Sequence, residues 1–155
     1  MKLQEGFAAG HRLRVRYNEV DLQNIVFNAN YLVYADIAVT EYFRALNGGE
    51  SGFFAEDGGA FGDPDGDTMV RHAEVDFLAS AKADDELDLN MRVSRLGKTS
   101  FNLQVRMMRG DEHLNDVNLT YVYVLKSTWK KAPLPDHFIN LVDSFEQIEP
   151  ERPSS

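Results

Sequence analysis

Cysteine is absent from all 155 residues. That removes disulfides, thiolate-bound zinc, iron–sulfur clusters and thiol nucleophiles together. Bases are scarce: 16 Lys and Arg stand against 25 Asp and Glu, a formal net charge of −9. Gripping nucleic acid through its phosphates needs a basic face, so nucleic acid is not expected as a partner. No run approaches the roughly 18 apolar residues of a spanning helix, and Met1-Lys2-Leu3-Gln4-Glu5 offers no apolar signal core. No membrane partner and a cytoplasmic location are therefore expected. No serine occupies a Gly-x-Ser-x-Gly turn. His11, His72, His113 and His137 are scattered without His-x-x-x-His spacing, so no metal is expected. Gly58-Gly59-Ala60-Phe61-Gly62 lacks the lysine of a phosphate loop.

What is present is ordinary globular composition, 43% apolar and 26% charged. A chain of this length is expected to form one domain over 1–155 and to bury about 70% of its unfolded surface. Leu13, Val15 and Tyr17 alternate with arginines over 12–17, the pattern of a half-buried strand. A helix is predicted from Asn30, as its cap, to Leu46, closed by Asn47-Gly48-Gly49. Tyr31, Tyr34, Ala35, Ala38, Tyr42 and Ala45 share one face of it. Leu32, Val39, Phe43 and Leu46 widen that face until only Asp36, Thr40, Arg44 and Asn47 stay polar. A helix this apolar must be covered on most sides.

Residues 48–67 carry seven of the 11 glycines, six acids and no base. They read as an acidic Gly-rich loop, with Phe53, Phe54 and Phe61 as candidates to tuck inward. Four period-two strands follow, through Met69–Ala79, Leu87–Val93, Phe101–Met107 and Val117–Leu125. Their short turns make neighbours antiparallel. A last helix is predicted over about His137 to Gln147, and 150–155 reads as a loose tail. The fold class is α+β, an antiparallel five-stranded sheet wrapped round one long apolar helix. Such a sheet leaves open edges, and edge-to-edge pairing in a homodimer or homotetramer would cover them.

The turn between the first strand and the helix carries the chemistry. Asp21 is a carboxylate able to act as base or nucleophile, and a carboxylate in that place also serves as a turn former or cap. Seven to nine residues later, at Asn28, Ala29 and Asn30, backbone N–H groups at the helix start can steady a developing oxyanion. Acyl transfer uses that pair of features.

Tyr17, Asp21, Ile25-Val26-Phe27, Asn30 and Tyr31 resemble, in register, the motif of the hotdog-fold acyl-CoA thioesterase family, the 4-hydroxybenzoyl-CoA thioesterase group. Asp36, Ala38, Thr40-Glu41 and Arg44 continue the likeness, as do Ala83-Asp84-Asp85-Glu86-Leu87 and Gly97-Lys98-Thr99-Ser100. It spans about 12–145. The resemblance implies hydrolysis of an acyl-CoA thioester to a carboxylic acid and free coenzyme A, with no cofactor, since coenzyme A is part of the substrate. It implies that Asp21 attacks the thioester or activates a water. It also implies that Asn28, with Ala29, binds the carbonyl oxygen and that Tyr17 lies beside Asp21. Asn30, Lys98, Thr99 and Ser100 are the further candidate substrate contacts. The basic clusters Arg92, Arg95, Lys98 and Lys126, Lys130, Lys131 could each meet nucleotide phosphates or simply be solvated.

The chain departs from the family in three places. Asn28 stands where some relatives carry a proton-shuttling His. Asn24 stands where many have Gly, yet it tolerates a left-handed backbone. The acidic loop is long. The hydratase pattern Asp-x-Asn-x-x-His is broken at Gln23 and Val26. The alternative to an enzyme is a non-catalytic acyl-thioester binding protein of the same fold, favoured if Asp21 is held in a capping hydrogen bond away from any cavity.

Overall fold

The computed structural model describes residues 1–50 and 55–153. The order is β1 (Ala9–Arg14), a single 3-10 turn (Tyr17–Glu19), α1 (Asn30–Leu46) and a second 3-10 turn (Gly59–Phe61). Then follow β2 (Gly66–Phe77), β3 (Glu86–Leu96), β4 (Ser100–Arg109), β5 (Glu112–Leu125), β6 (Lys130–Lys131) and α2 (Asp136–Phe145). The strands form one antiparallel sheet in the order β1-β3-β4-β5-β2, with β6 added beside β5. The sheet curls round α1, which is the hotdog architecture. The two-residue β6 makes a sixth strand where five were expected, too short to show as alternation in the sequence.

Packing explains why α1 can be so apolar. Tyr31, Tyr34, Ala35, Ala38, Val39, Tyr42, Phe43 and Leu46 are buried. Phe43 meets the rings of Phe61, Phe101 and Phe138 at 5.2, 6.0 and 5.7 Å. Burying each such ring contributes about 1.5–3 kcal/mol. Phe61 is thus an inward residue of the acidic loop, whereas Phe53 and Phe54 lie outside the described residues.

β1 is shifted from the expected 12–17 to Ala9–Arg14. Its partner β3 begins at Glu86, opposite Arg14, and one further residue is held before the chain turns: Val15 N–H donates to the Asp85 carbonyl at 2.9 Å and Asp84 N–H to the Val15 carbonyl at 2.9 Å. Beyond it the chain turns, and Tyr17, expected on the inward face, stands 86% exposed. On β2 a bulge between Val70 and His72 shifts the pairing register. Val75 and Ala79 pack on the core, while Met69, Val70, Phe77 and Leu78 stand exposed along an unpaired edge. Leu32 and Val33 of α1 are exposed as well.

The tail expected to be loose is tied down at Glu151 and Arg152. β1 stops pairing at Ala9 opposite Met91, so the rest of the β3 edge is open to other groups. The C-terminal segment fills it. Val93 N–H donates to Glu146 Oε1 at 2.9 Å, Leu96 N–H to the Glu151 carbonyl at 2.8 Å, and Glu151 N–H to the Ser94 carbonyl at 2.9 Å. Arg152 also pairs with Asp143 at 2.6 Å.

Glu146 accepts a second bond from the Tyr42 hydroxyl at 2.7 Å, but its Oε2 is buried without a partner. Burial raises its pKa above the ordinary 4.5, outweighing the hydrogen bonds from Tyr42 and Val93 and the charge of Arg92, all of which lower it. A carboxyl with a raised folded-state pKa contributes stability that is complete below its unfolded pKa and lost as pH rises through the folded one. Glu146→Gln keeps an acceptor for both donors and never ionises. Relative to wild type, its melting temperature should therefore climb as pH increases from about 4.5 to 8. Parallel melting curves for the two proteins across that range would reject the assignment.

Candidate active site

The chain between β1 and α1 folds on itself as a small hairpin. Val20 and Val26 form an antiparallel bridge, Asp21 N–H donates to the Ile25 carbonyl at 3.0 Å, and Asn24 N–H to the Asp21 carbonyl at 2.9 Å. Asn24 closes the turn at φ +62°, the left-handed conformation its sequence position called for. Val26 N–H ties the hairpin to the Ala81 carbonyl at 2.9 Å.

Glu19 braces this loop, and nothing local in the sequence announces it. Its carbonyl accepts Phe27 N–H at 2.9 Å and the Asn30 side-chain amide at 2.8 Å. Its Oε1 accepts Arg16 N–H at 2.7 Å and the Tyr34 hydroxyl at 3.1 Å. Burial, then the charge of Glu19, pushes the Tyr34 phenol well above its ordinary pKa, so Tyr34 remains a donor. The signal for Glu19 is a contact across 15 residues, visible only once the helix is in place.

Asn30 is not the side-chain cap expected of it. It is the first helical residue, its amide faces Glu19, and its own N–H is taken by the Phe27 carbonyl at 2.8 Å. The cap residue is Ala29, which has no side chain able to cap. Among the described residues the backbone N–H groups of Asn28 and Ala29 have no acceptor, and both residues are exposed. Asp21 sits half-buried in the same hairpin. Its Oδ1 accepts Gln23 N–H at 2.8 Å, an Asx turn.

The other expected site residues lie elsewhere in the protomer. Tyr17 lines an open groove of 370 Å³ with Arg14, Val15, Arg16, Ala83 and Asp84, which Asp21 does not line. Lys98, Thr99 and Ser100 occupy the β3–β4 turn. Arg14, just before the site, pairs with Glu86 at the opposite end of β3, so about 30 Å of strand separates the two. A second cavity of 180 Å³ opens beside α1, lined by Leu32, Asp36, Val70, Ala73, Leu119 and Tyr121. Leu32 and Asp36 follow Asn28 at steps of four along the helix, which keeps them on one strip with it. Sequence reasoning missed this cavity because two of its walls come from distant strands. Among the described residues no three His, Asp or Glu side chains are grouped to hold a metal. No described helix is long and apolar enough to cross a membrane.

The sequence profile of the thioesterase superfamily matches residues 23–115. The chain is 28% identical over 133 residues to the acyl-CoA thioesterase YbgC of Haemophilus influenzae, covering 86% of this chain and 91% of that protein. It superposes on a thioesterase from Thermus thermophilus, solved with coenzyme A and Zn, with a TM-score of 0.79 and 25% identity, over 94% and 99% of the two chains. A thioesterase-superfamily structure from a Jannaschia species superposes with a TM-score of 0.81 at 19% identity, over 94% and 96%, and shares the fold.

The hairpin geometry has a direct test. A β-branched residue is poorly tolerated at φ +62°, so Asn24→Val should destabilise the protein by about 1–2 kcal/mol. Asn24→Gly should be close to neutral. Urea unfolding of the two variants measures the difference.

Proposed function

We propose that this chain, which belongs to the thioesterase superfamily, hydrolyses an acyl-CoA thioester to a carboxylic acid and free coenzyme A, as a cytoplasmic enzyme. The observation that carries the reading is the uncapped start of α1. The amide N–H groups of the exposed residues Asn28 and Ala29 have no acceptor among the described residues, and the carboxylate of Asp21 lies in the short hairpin that leads into them. A helix N-terminus with free amides stabilises negative charge on a carbonyl oxygen. Asp21 either attacks the thioester carbon or takes a proton from the water that does. In both routes the C–S bond breaks, the sulfur leaves as the thiol of coenzyme A, and water supplies the oxygen of the acid. Coenzyme A enters as part of the substrate and no further cofactor is required. Asn28 contributes its backbone; an amide side chain cannot carry a proton near neutral pH. The acyl group fits the 180 Å³ cavity beside Leu32 and Asp36.

The functional unit is a homodimer paired through β2. This 12-residue edge strand leaves its outer hydrogen-bonding groups open and Met69, Val70, Phe77 and Leu78 exposed. Antiparallel pairing with its copy sets the Phe77 end of one protomer against the Gly66 end of the other. The β3–β4 turn with Lys98, Thr99 and Ser100 then lies at the same end as the partner's hairpin, which a single protomer cannot achieve. Tyr17 acts from the outer rim of that hairpin.

A second reading, an acyl-thioester binder without turnover, draws on the hydrogen bond that already occupies one oxygen of Asp21. Thiol release separates the two. The protein has no thiol of its own, so a thiol-reactive dye reports coenzyme A without background. At least one acyl-CoA on a panel of aliphatic and aromatic thioesters should turn over, and Asp21→Asn should lower kcat by about 10²-fold or more. A fully active variant would remove Asp21 from the chemistry, and an inert panel would favour the binder. For the assembly, light scattering should give twice the chain mass, and Val70→Lys, which sets a charge on the pairing edge, should return it towards one. A monomeric wild type would overturn the β2 pairing.

A further inference from the structure

The β5–β6 hairpin reads Lys126-Ser127-Thr128-Trp129-Lys130-Lys131, with no acid. Trp129 is the chain's single tryptophan. It adopts φ +54°, unusual for a bulky residue, and is 59% exposed, so it serves no core. The hairpin is nonetheless firmly built. Asp65 accepts Ser127 N–H at 2.9 Å and the Ser127 hydroxyl at 2.6 Å, Lys126 N–H reaches the Asp65 carbonyl at 2.7 Å, and Trp129 N–H the Leu125 carbonyl at 2.6 Å. Leu134 N–H donates to the Lys98 carbonyl at 2.9 Å, which fastens the chain leaving β6 to the β3–β4 turn. Among the described residues none of Lys98, Lys126, Lys130 and Lys131 forms an ion pair. A chain of net charge −9 thus gathers four lysines without an ion-pair partner around an outward indole, with Asp65 the one acid among the described residues hydrogen-bonded to the hairpin.

We propose that this hairpin docks the 3′-phosphorylated adenosine diphosphate end of coenzyme A, with the Trp129 indole stacked on the adenine and Lys126, Lys130 and Lys131 facing the phosphates. The proposal rests on the acyl-CoA reading above and names where the nucleotide of that substrate is held. Indole offers a flat π face to a purine, and ammonium groups suit phosphate oxygens. Charge acts locally here, because salt screens interactions beyond about 8 to 10 Å. A small polyanion meets only the hairpin, whereas an acidic protein or an anionic membrane would also face the negative remainder of the chain. The position suits a substrate shared between protomers. β5 is the strand next to β2 and β6 lies on its far side, so with β2 paired to its copy the hairpin lies two to three strand spacings, about 10 to 15 Å, from the partner's β2, at the end where the partner's Asp21 hairpin would stand.

The single tryptophan makes the test direct. The intact protein is titrated with coenzyme A, adenosine 3′,5′-bisphosphate and pantetheine while its emission is read. The first two should quench it saturably and pantetheine should not, with the midpoint rising about tenfold between low and high salt. Lys130→Gln with Lys131→Gln should weaken binding about tenfold. Trp129→Asn, which the left-handed backbone accommodates, should lower the kcat/KM preference for an acyl-CoA over its acyl-pantetheine by about tenfold. Unchanged emission in coenzyme A from a protein that hydrolyses acyl-CoA would overturn the docking site, as would equal quenching by pantetheine. Quenching by anionic phospholipid vesicles alone would overturn it in favour of a membrane surface. Quenching by coenzyme A from a protein that releases no thiol would leave the docking site standing and remove only the hydrolysis.

Discussion

Glu19 is the node on which the site depends. One backbone carbonyl of this residue holds Phe27 N–H and the Asn30 amide, and its carboxylate holds Arg16 N–H and the Tyr34 hydroxyl. Through these bonds the Asp21 hairpin is fixed to the first turn of α1. Tyr34 is itself buried against the sheet, so the loop inherits the rigidity of the core. The helix start can then remain uncapped. Asn30, the side chain expected to cap, is the first helical residue and is turned to Glu19, and the amides of Asn28 and Ala29 keep no acceptor among the described residues. A local stabilisation worth about 1 kcal/mol, the ordinary value of a helix cap, is forgone at the point where the proposed chemistry calls for free donors.

Periodicity made most of the fold legible. Alternation marked β3, β4 and β5 because each has one face in the core, and the 3.6-residue spacing marked α1 because nearly its whole circumference is covered. The misreadings share a cause, which is that pairing extends or stops according to a neighbour that the local pattern does not reveal. Pairing on β1 ends at Val15, against Asp84 and Asp85, although its alternation runs on to Tyr17. β2 alternates, yet a bulge and an absent neighbour put Met69 and Phe77 in solvent. Glu151 looked like part of a loose tail, but it finds the stretch of β3 that β1 leaves bare.

The site was legible in its motif and not in its geometry. Asp21 stands in the hairpin that leads into the helix start, and Asn24 adopts the left-handed turn that its position called for. Tyr17 points outward because the ladder stops before it. The Lys98 turn lies far off because it stands at the opposite end of β3 from the strand end that leads to Asp21. Glu19 and the cavity between Leu32 and Tyr121 left no sequence signal, since both arise from contacts between segments that are distant along the chain.

The two margins of the sheet differ in kind. On the β1 side, Arg12 and Arg14 are committed to Glu86 and Asp88, and the C-terminal segment stitches the remaining β3 backbone shut. On the β2 side no described strand pairs with the outer backbone. The bonds of Glu151 thus also shield the Ser94 and Leu96 backbone from any foreign strand, and clipping the chain before Pro150 would lay that stretch bare for one to pair with.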